Sequence, residues 1–319
     1  MTVRLTVQRA AWRKHVATTA QAYGAALEPV VKGNGYGFGR ALLHQIAAEL
    51  APNVCVGTIH ELADVPAGAR AVVLTPALQT STIESAANGS AVLTVGSTAH
   101  VAALAGWSGE VMVKLASSMR RFGATADELP AVLAAAREAG LGIAGFGLHL
   151  PTAGDDRDRI AEIEAWLPRL PAETSLWVSH LQPTSMHALV AAHPQHTFRI
   201  RVGTALWHGV PRLDIMQLRA EVLDTRPIRV GQEAGYRQTP AACDGTLVVI
   251  GAGSTHGIAP RGDLSPFHFA RNRMAMHEHP YMHTSLVIVR SGIPCPQVGE
   301  WVDVQSPLIT TNADAIEWQ

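Results

Sequence analysis

One lysine in this chain stands where an amine could do covalent chemistry. The stretch Glu28-Pro29-Val30-Val31-Lys32-Gly33-Asn34-Gly35-Tyr36-Gly37-Phe38-Gly39 carries Lys32 out of an apolar run into a loop with four glycines and one tyrosine. A lysine at a strand end, close to a low-dielectric core, has a depressed pKa and a usable amine. Such an amine forms a Schiff base with an aldehyde. The glycines let backbone N–H groups, and the Tyr36 hydroxyl, approach an anion such as a phosphate. Together these features suggest pyridoxal 5'-phosphate (PLP). Taken alone, the motif fits a surface lysine in a flexible loop equally well, so its surroundings have to decide.

Other residues with chemical potential close short β-like runs. The runs are Leu27–Lys32, Asn53–Thr58, Arg70–Thr75, Ala91–Val95, Glu110–Leu115, Ile143–His149, Ser175–His180 and Phe198–Gly203. Helix signals lie between them. Thr125-Ala126-Asp127-Glu128 is a capping box ahead of Pro130–Arg137, closed by Gly140, and Asp155–Leu170 is a second amphipathic candidate. Eight strands alternating with helices predict an α/β fold, a (β/α)8 TIM-type barrel over residues 10–213. A doubly wound open sheet is the alternative, lowered because no GxGxxG follows the first strand. Beyond residue 214 helical periodicity fades. The runs Arg219–Val222, Thr246–Ile250, Thr284–Val289 and Trp301–Val304 predict a C-terminal mostly-β domain over 214–319, joined by the N-terminal strand within residues 1–9, Val3–Val7.

A barrel carries its chemistry at the C-terminal ends of its strands. There the chain offers Lys32 on the first, Lys114 on the fifth, His149 on the sixth, Ser179 and His180 on the seventh and Arg201 on the eighth. Gly203-Thr204-Ala205 follows, where barrels often hold a phosphate on backbone N–H groups. The set is self-consistent: a lysine for an aldehyde, a flat histidine to stack on a ring, an arginine for a ring nitrogen and a phosphate cradle. Read singly, His149 is a core histidine, Arg201 a salt-bridge partner and Lys114 a strand-end cation.

Bulk properties exclude other classes. The 319 residues are 47% hydrophobic but only 5% aromatic, so a substantial core is built from Ala, Val, Leu and Ile. A net charge of −1 leaves no electrostatic footprint for nucleic acid or an anionic membrane. Arg4, Arg9, Arg13 and Lys14 lack the apolar stretch of a secretory signal, and no apolar run reaches the roughly 18 residues of a membrane span. Cys55, Cys243 and Cys295 form neither a disulfide framework nor a CxxC pair, so a reducing cytoplasm is expected.

The chain resembles alanine racemase and its relatives, the barrel-type (fold type III) PLP enzymes. Val30–Gly37 is similar to the segment with the family's Schiff-base lysine and phosphate-binding tyrosine, here Lys32 and Tyr36. Val113-Lys114-Leu115-Ala116-Ser117-Ser118-Met119-Arg120-Arg121-Phe122-Gly123 resembles the segment whose lysine, often carbamylated, holds an arginine near the cofactor's phenolic oxygen, here Lys114 and Arg121. Gly145-Phe146-Gly147-Leu148-His149 resembles the segment whose histidine packs on the pyridine. Arg201–Trp207 is similar to the arginine facing the pyridine nitrogen and the phosphate loop, here Arg201, Gly203 and Thr204, with Ser179 at the same rim. Val230–Tyr236 and Val298–Val302 resemble turns of the family's β domain. The resemblance implies PLP as cofactor, an amino acid as substrate and a homodimer with shared active sites.

The chain also departs from the family pattern. Racemisation needs a base on each face of the α-carbon. In the family one is the lysine and the other a tyrosine from the partner's β domain. In Ile250-Gly251-Ala252-Gly253-Ser254-Thr255-His256-Gly257 that position reads Ala252. His256 is the substitute in the same turn, with a pKa suited to proton exchange; Cys243 and Tyr236 are further candidates. On the substrate side, Met282 is followed by His283 where the family has an acidic residue. The chain is also expected to end, at Gln319, short of the family's final strands. His277, Glu278, His279 and His283 are zinc-type ligands, but Pro280 interrupts the segment, so a polar wall or dimer surface is expected there and no metal is assigned. Arg261–Arg273 reads as an inserted loop whose arginines could meet a carboxylate or a partner chain.

The expected function is therefore a PLP-dependent isomerase that labilises the Cα–H bond of an amino acid through Lys32, with His256 as second base. An arginine beside the pyridine nitrogen, rather than a carboxylate, separates this from the family's decarboxylases. A PLP lyase or aldolase on a β-hydroxy amino acid, and a PLP-binding protein with little turnover, are the alternatives.

Overall fold

The computed structural model describes residues 2–78, 91–210, 212, 214–260 and 264–319. Of the expected inserted loop, residues 261–263 lie outside this set. Val3–Val7 (β1) alternates buried and half-buried side chains, the period of a strand with one face on a core. Arg9–Tyr23 forms α1. Eight short apolar strands follow: β2 (Leu27–Pro29), β3 (Asn53–Val56), β4 (Arg70–Val73), β5 (Val92–Val95), β6 (Glu110–Lys114), β7 (Gly142–Gly147), β8 (Ser175–Ser179) and β9 (Thr197–Val202). Between them stand α2 (Arg40–Leu50), a 3-10 turn (Ile59–Asp64), α3 (Thr98–Ala102), α4 (Leu129–Glu138), α5 (Asp156–Trp166) and α6 (Pro183–Ala192). A short α7 (Thr204–Trp207) comes after β9. No helix among the described residues is long and apolar enough to cross a membrane.

The chain divides into two compact units, His15–Gly35 with Gly39–Arg212, and Met1–Lys14 with Tyr36–Phe38 and Leu213–Gln319. The first is a barrel. Its strands pair in parallel in the order β2-β9-β8-β7-β6-β5-β4-β3. A bridge between Val30 and Cys55, with Val31 N–H on the Cys55 carbonyl at 2.8 Å, closes the ring between β2 and β3. Strands covered on both faces have no polar side to show, and all four residues of β3 and of β5 are buried. Glu28 ties three strands together, accepting from Asn53 Nδ2 at 3.0 Å and Arg199 Nη1 at 2.9 Å. Burial pushes its carboxyl up, against those two contacts.

The eight expected strands are all present, but seven of them stop one to three residues before the expected carboxyl end. At the barrel rim each chain leaves its ladder to turn towards the next helix. Gly33 and His180 adopt left-handed backbone, φ +61 and +64, which cannot continue a ladder. Lys32, His149 and His180 are therefore rim-loop residues. The Thr125–Glu128 box exists, each residue's N–H donating to the other's side chain at 2.9 and 3.3 Å, with the regular helix starting just beyond it at Leu129. The Asp155–Leu170 segment is helical to Trp166 and tightens to a 3-10 turn at Leu167–Arg169.

The second unit is mostly antiparallel β. Its spine is β10 (Met216–Ile228), in one sheet with β1, β13 (Gly245–Ile250), β14 (Phe267–Phe269), β15 (Asn272–Arg273), β16 (Ala275–Met276), β17 (Ser285–Arg290), β18 (Trp301–Val304) and β19 (Ala315–Trp318), while β11 (Glu233–Ala234) and β12 (Thr239–Pro240) pair with each other in a separate two-stranded sheet. β10 pairs with β1 and β18 along its first half and with β13 along its second, with a bulge between Val222 and Asp224. The expected Arg219–Val222 run is only the middle of this strand. Asp224, Thr225, Arg226 and Pro227 break the apolar pattern, while main-chain pairing carries on through them. β1 also pairs in parallel with β19. Trp12, Phe38 and Trp318 pack into one aromatic cluster, with ring centres 5.0 to 6.1 Å apart.

Candidate active site

Lys32 lies just past the Val30–Cys55 closure and is accessible at the barrel rim. Its amine is held below the usual lysine value by desolvation first, then by Arg121 and Arg201, while Glu61 opposes the shift. The residue after it is pinned at both backbone groups: Gly33 N–H donates to Glu61 Oε1 at 3.0 Å and Gly33 C=O accepts from Arg40 Nη1 at 2.5 Å. Sequence reasoning missed Glu61 and Arg40. The available signal was a carboxylate in the loop that follows the second strand, four residues after Gly57.

Lys114 ends β6 with only 4% of its surface exposed, and its Nζ has no hydrogen-bond partner among the described residues. Burial, then Arg201 and Arg121, push its amine well below the usual lysine value. The loop carrying Arg121 closes back on the same strand end. Leu115 bridges Ala124, Ala124 N–H donates to the Lys114 carbonyl at 2.8 Å, and Ala116 N–H donates to Ala124 at 2.8 Å. Gly123 makes that closure possible: at φ +142, a Cβ there would sit 2.5 Å from the Leu115 carbonyl.

His149 follows β7. Burial, then Arg201 and Lys114, hold its imidazole down to about 2, so the ring is neutral. It lies 5.1 Å from the ring of His180, also held low, mainly by burial and then by Arg201. Ser179 Oγ accepts the Leu150 N–H at 3.0 Å, which fixes the turn beyond His149. Arg201 is buried and donates Nη2 to the Leu148 carbonyl at 2.7 Å and Nε to Val178 at 3.3 Å. Burial brings its pKa down to about 10, still a cation at neutral pH. After β9, Gly203 leads into α7, where Thr204 is exposed. Trp207 Nε1 donates to the Val30 carbonyl at 2.8 Å, and His15 Nε2 lies 2.9 Å from the Ala205 carbonyl, so this turn is held beside the lysine strand.

The remaining candidates belong to the second unit. Tyr36 is buried, with left-handed backbone at φ 54. Ala252 is fully buried, its carbonyl accepting from Ser285 Oγ at 2.7 Å. His256 is 7% exposed; its Nδ1 accepts the Gly253 N–H at 3.1 Å, which leaves the ring proton on Nε2, 3.4 Å from Asp314 Oδ1. Met282 is exposed, and its carbonyl accepts from Thr255 Oγ1 at 2.6 Å; His283 Nδ1 lies 3.2 Å from the same hydroxyl. Tyr236 is 88% exposed against the ring of Tyr281. In the histidine-rich segment Glu278 accepts from Arg237 N–H, Thr239 Oγ1 and Tyr281 OH, while His277 Nε2 lies 3.1 Å from the Ala234 carbonyl. No group of three or more metal-type side chains that could hold an ion occurs among the described residues.

The barrel rim thus places Arg121 and Arg201 within electrostatic reach of both Lys32 and Lys114, with a carboxylate, Glu61, near Lys32. Four basic groups, one of them the buried Lys114 amine, and a neutral imidazole suit a flat anionic ligand with a carbonyl for Lys32 to attack. PLP has those properties.

The sequence profile of the alanine racemase N-terminal domain matches residues 7–211. No curated protein matches the chain. Among solved structures, alanine racemase from Bartonella henselae with covalently bound pyridoxal phosphate superposes with a TM-score of 0.75 at 18% identity, covering 100% of this chain and 99% of that one. Biosynthetic alanine racemase from Pseudomonas aeruginosa gives 0.72 at 20% identity, with 100% and 99% covered. The Bacillus anthracis enzyme with bound L-Ala-P gives 0.74 at 18% identity, with 99% and 88% covered. At such identities the structures speak for the fold, and the profile, which spans the entire barrel, speaks for descent. This chain belongs to the alanine racemase family.

Proposed function

We propose that this chain, as a homodimer, is a PLP-dependent enzyme that labilises the Cα–H bond of an amino acid, of racemase or epimerase type. The observation that carries the reading is the depressed, accessible Lys32 amine on a rim shared with Lys114, Arg121 and Arg201. PLP, when bound, supplies the aldehyde and the electron sink. Lys32 Nζ holds the cofactor and moves the proton on its own face of Cα. His149 offers a neutral ring to the pyridine, in a turn positioned by Ser179. Arg201, a cation at neutral pH, would stand by the pyridine nitrogen and leave it unprotonated. Gly203 and Thr204 bind the phosphate at the start of α7. Arg121 takes the phenolic oxygen. Lys114, whose buried amine is held well below the usual lysine value and has no hydrogen-bond partner among the described residues, is suited to add CO2 with loss of one proton, giving a carbamate that would hold Arg121.

The opposite face is where this chain departs from its family. Ala252 has no titratable group, and both ring nitrogens of His256 are engaged. A lone base returns the proton to the face it came from, so the stereochemistry of exchange reports whether a second group acts. Borohydride is expected to trap PLP on Lys32 and absorbance near roughly 420 nm to be lost in Lys32→Ala. Deuterium should enter Cα from solvent when the loaded protein meets its amino acid. Inversion identifies a racemase, with loss in His256→Asn assigning the second base. Retention identifies Lys32 acting alone. No exchange with any amino acid overturns the isomerase reading in favour of a PLP-binding protein.

A further inference from the structure

We propose that Glu61 is a positioning residue for Lys32, acting with Arg40 and Asp64 to hold Gly33, the residue after Lys32, at both its N–H and its C=O; the inference rests on the PLP reading above. Gly33 needs such a hold. Its backbone is left-handed at φ +61, and nothing among the described residues lies within 4 Å of where its Cβ would be, so their packing does not restrain it. Two hydrogen bonds do so instead. Glu61 uses both carboxylate oxygens, Oε1 for Gly33 N–H at 3.0 Å and Oε2 for Gly57 N–H at 2.7 Å, and so ties the loop after β2 to the loop after β3. On the other side Arg40, the first residue of α2, donates Nη1 to the Gly33 carbonyl at 2.5 Å. Arg40 Nε meets Asp64 Oδ2 at 2.5 Å, and Asp64 ends the 3-10 turn that carries Glu61. The contacts form a closed circuit from Glu61 through Gly33, Arg40 and Asp64 back to the same turn.

Gly57 completes it. A Cβ there would lie 3.0 Å from Glu61 Oε2 and 3.2 Å from Lys32 Cβ, so any side chain would press on both the carboxylate and the lysine. The circuit also has an electrostatic consequence. The groups acting on the Lys32 amine are Arg121 and Arg201, which disfavour its charge, and Glu61 and Cys55, which favour it. Burial pushes the Cys55 thiol up, so at neutral pH Glu61 is the anion among them.

The test measures borohydride trapping of PLP on Lys32, located by peptide mass spectrometry, against PLP concentration and pH. Wild type, Glu61→Asp, Glu61→Gln and Arg40→Gln are compared, with folding checked by circular dichroism. In Glu61→Gln one glycine N–H faces an amide NH2, and the half-saturating PLP concentration is expected to rise about tenfold. The pH of half-maximal trapping should also move down, because the charged amine loses its counterion. Glu61→Asp should restore the pH midpoint. Arg40→Gln should weaken retention with the midpoint unmoved, separating position from charge. An unchanged half-saturation or an unchanged pH midpoint in Glu61→Gln overturns the proposal. If Glu61→Gln does not fold, Arg40→Gln decides, and wild-type half-saturation there overturns the clamp. Failure of the wild type itself to be trapped on Lys32 would instead sink the cofactor reading.

Discussion

At the scale of single residues, Lys114 shows how a site works against the stability of its own fold. Its amine is buried without a hydrogen-bond partner among the described residues and is held well below the usual lysine value by burial, Arg201 and Arg121, so folding disfavours a charge that the unfolded chain carries freely. Replacing such a group with an apolar side chain of similar volume often stabilises a protein. Lys114→Met is therefore expected to raise the urea stability of the PLP-free protein by about 1–2 kcal/mol while weakening cofactor retention. A lower urea midpoint would mean that Lys114 has an unrecognised structural partner. Lys114 was visible in the sequence as a polar residue ending an apolar run, and so were Lys32 and Arg201. Glu61 was not, because a carboxylate on a turn gains its meaning only from the two glycine amides that the closed barrel brings to it.

At the scale of elements, the rim loops are anchored by helix ends. Asp155 caps α5 by accepting the Arg157 and Asp158 N–H groups at 2.8 and 3.1 Å, and Asp158 returns a contact to Asp155 N–H. From the first turns of that helix Arg159 donates to the carbonyls of Pro151, Thr152 and Gly154 and pairs with Asp156 at 2.9 Å. The cap therefore stabilises the whole loop beyond His149. Asp155→Ala is expected to lower stability by about 1 kcal/mol, read from urea denaturation at constant slope. The helix itself was readable in sequence as the amphipathic segment Asp155–Leu170, while its Asp155 cap emerged from the structure. Strand ends were less so: a run such as Leu27–Lys32 is apolar beyond the point where its ladder stops, since the rim turns are buried too.

At the scale of the whole molecule, titration has a consistent sign. His44, His100, His149, His180, His196 and His268 are all held below the ordinary histidine value, in each case chiefly by desolvation. An unfolded histidine takes up a proton near pH 6.5. Between that pH and the lower folded values the unfolded chain binds more protons, so the stability present above about 6.5 is lost as pH falls. Glu28, held high, acts in the opposite direction only in the acid range where carboxylates titrate. The urea midpoint should be clearly lower at pH 5 than at pH 7.5. His44→Leu should flatten that dependence, since His44 is 1% exposed and neither ring nitrogen has a hydrogen-bond partner among the described residues. A midpoint that does not change with pH would contradict this account.

The sequence alone determined the alternation of strands and helices, the β-rich second half and the residue types that close each strand. These are local properties, carried by side-chain periodicity, caps and turns within about ten to fifteen residues. The tertiary structure decided which of those residues share one electrostatic environment. Closure of β2 against β3, through a bridge between Val30 and Cys55, brings the lysine loop beside Glu61. It also decided that Ala252 and both nitrogens of His256 are already occupied with structure. Pairings of that kind join residues distant in the chain, and their charges and hydrogen bonds have no local signal, because a pKa depends on neighbours that only folding supplies.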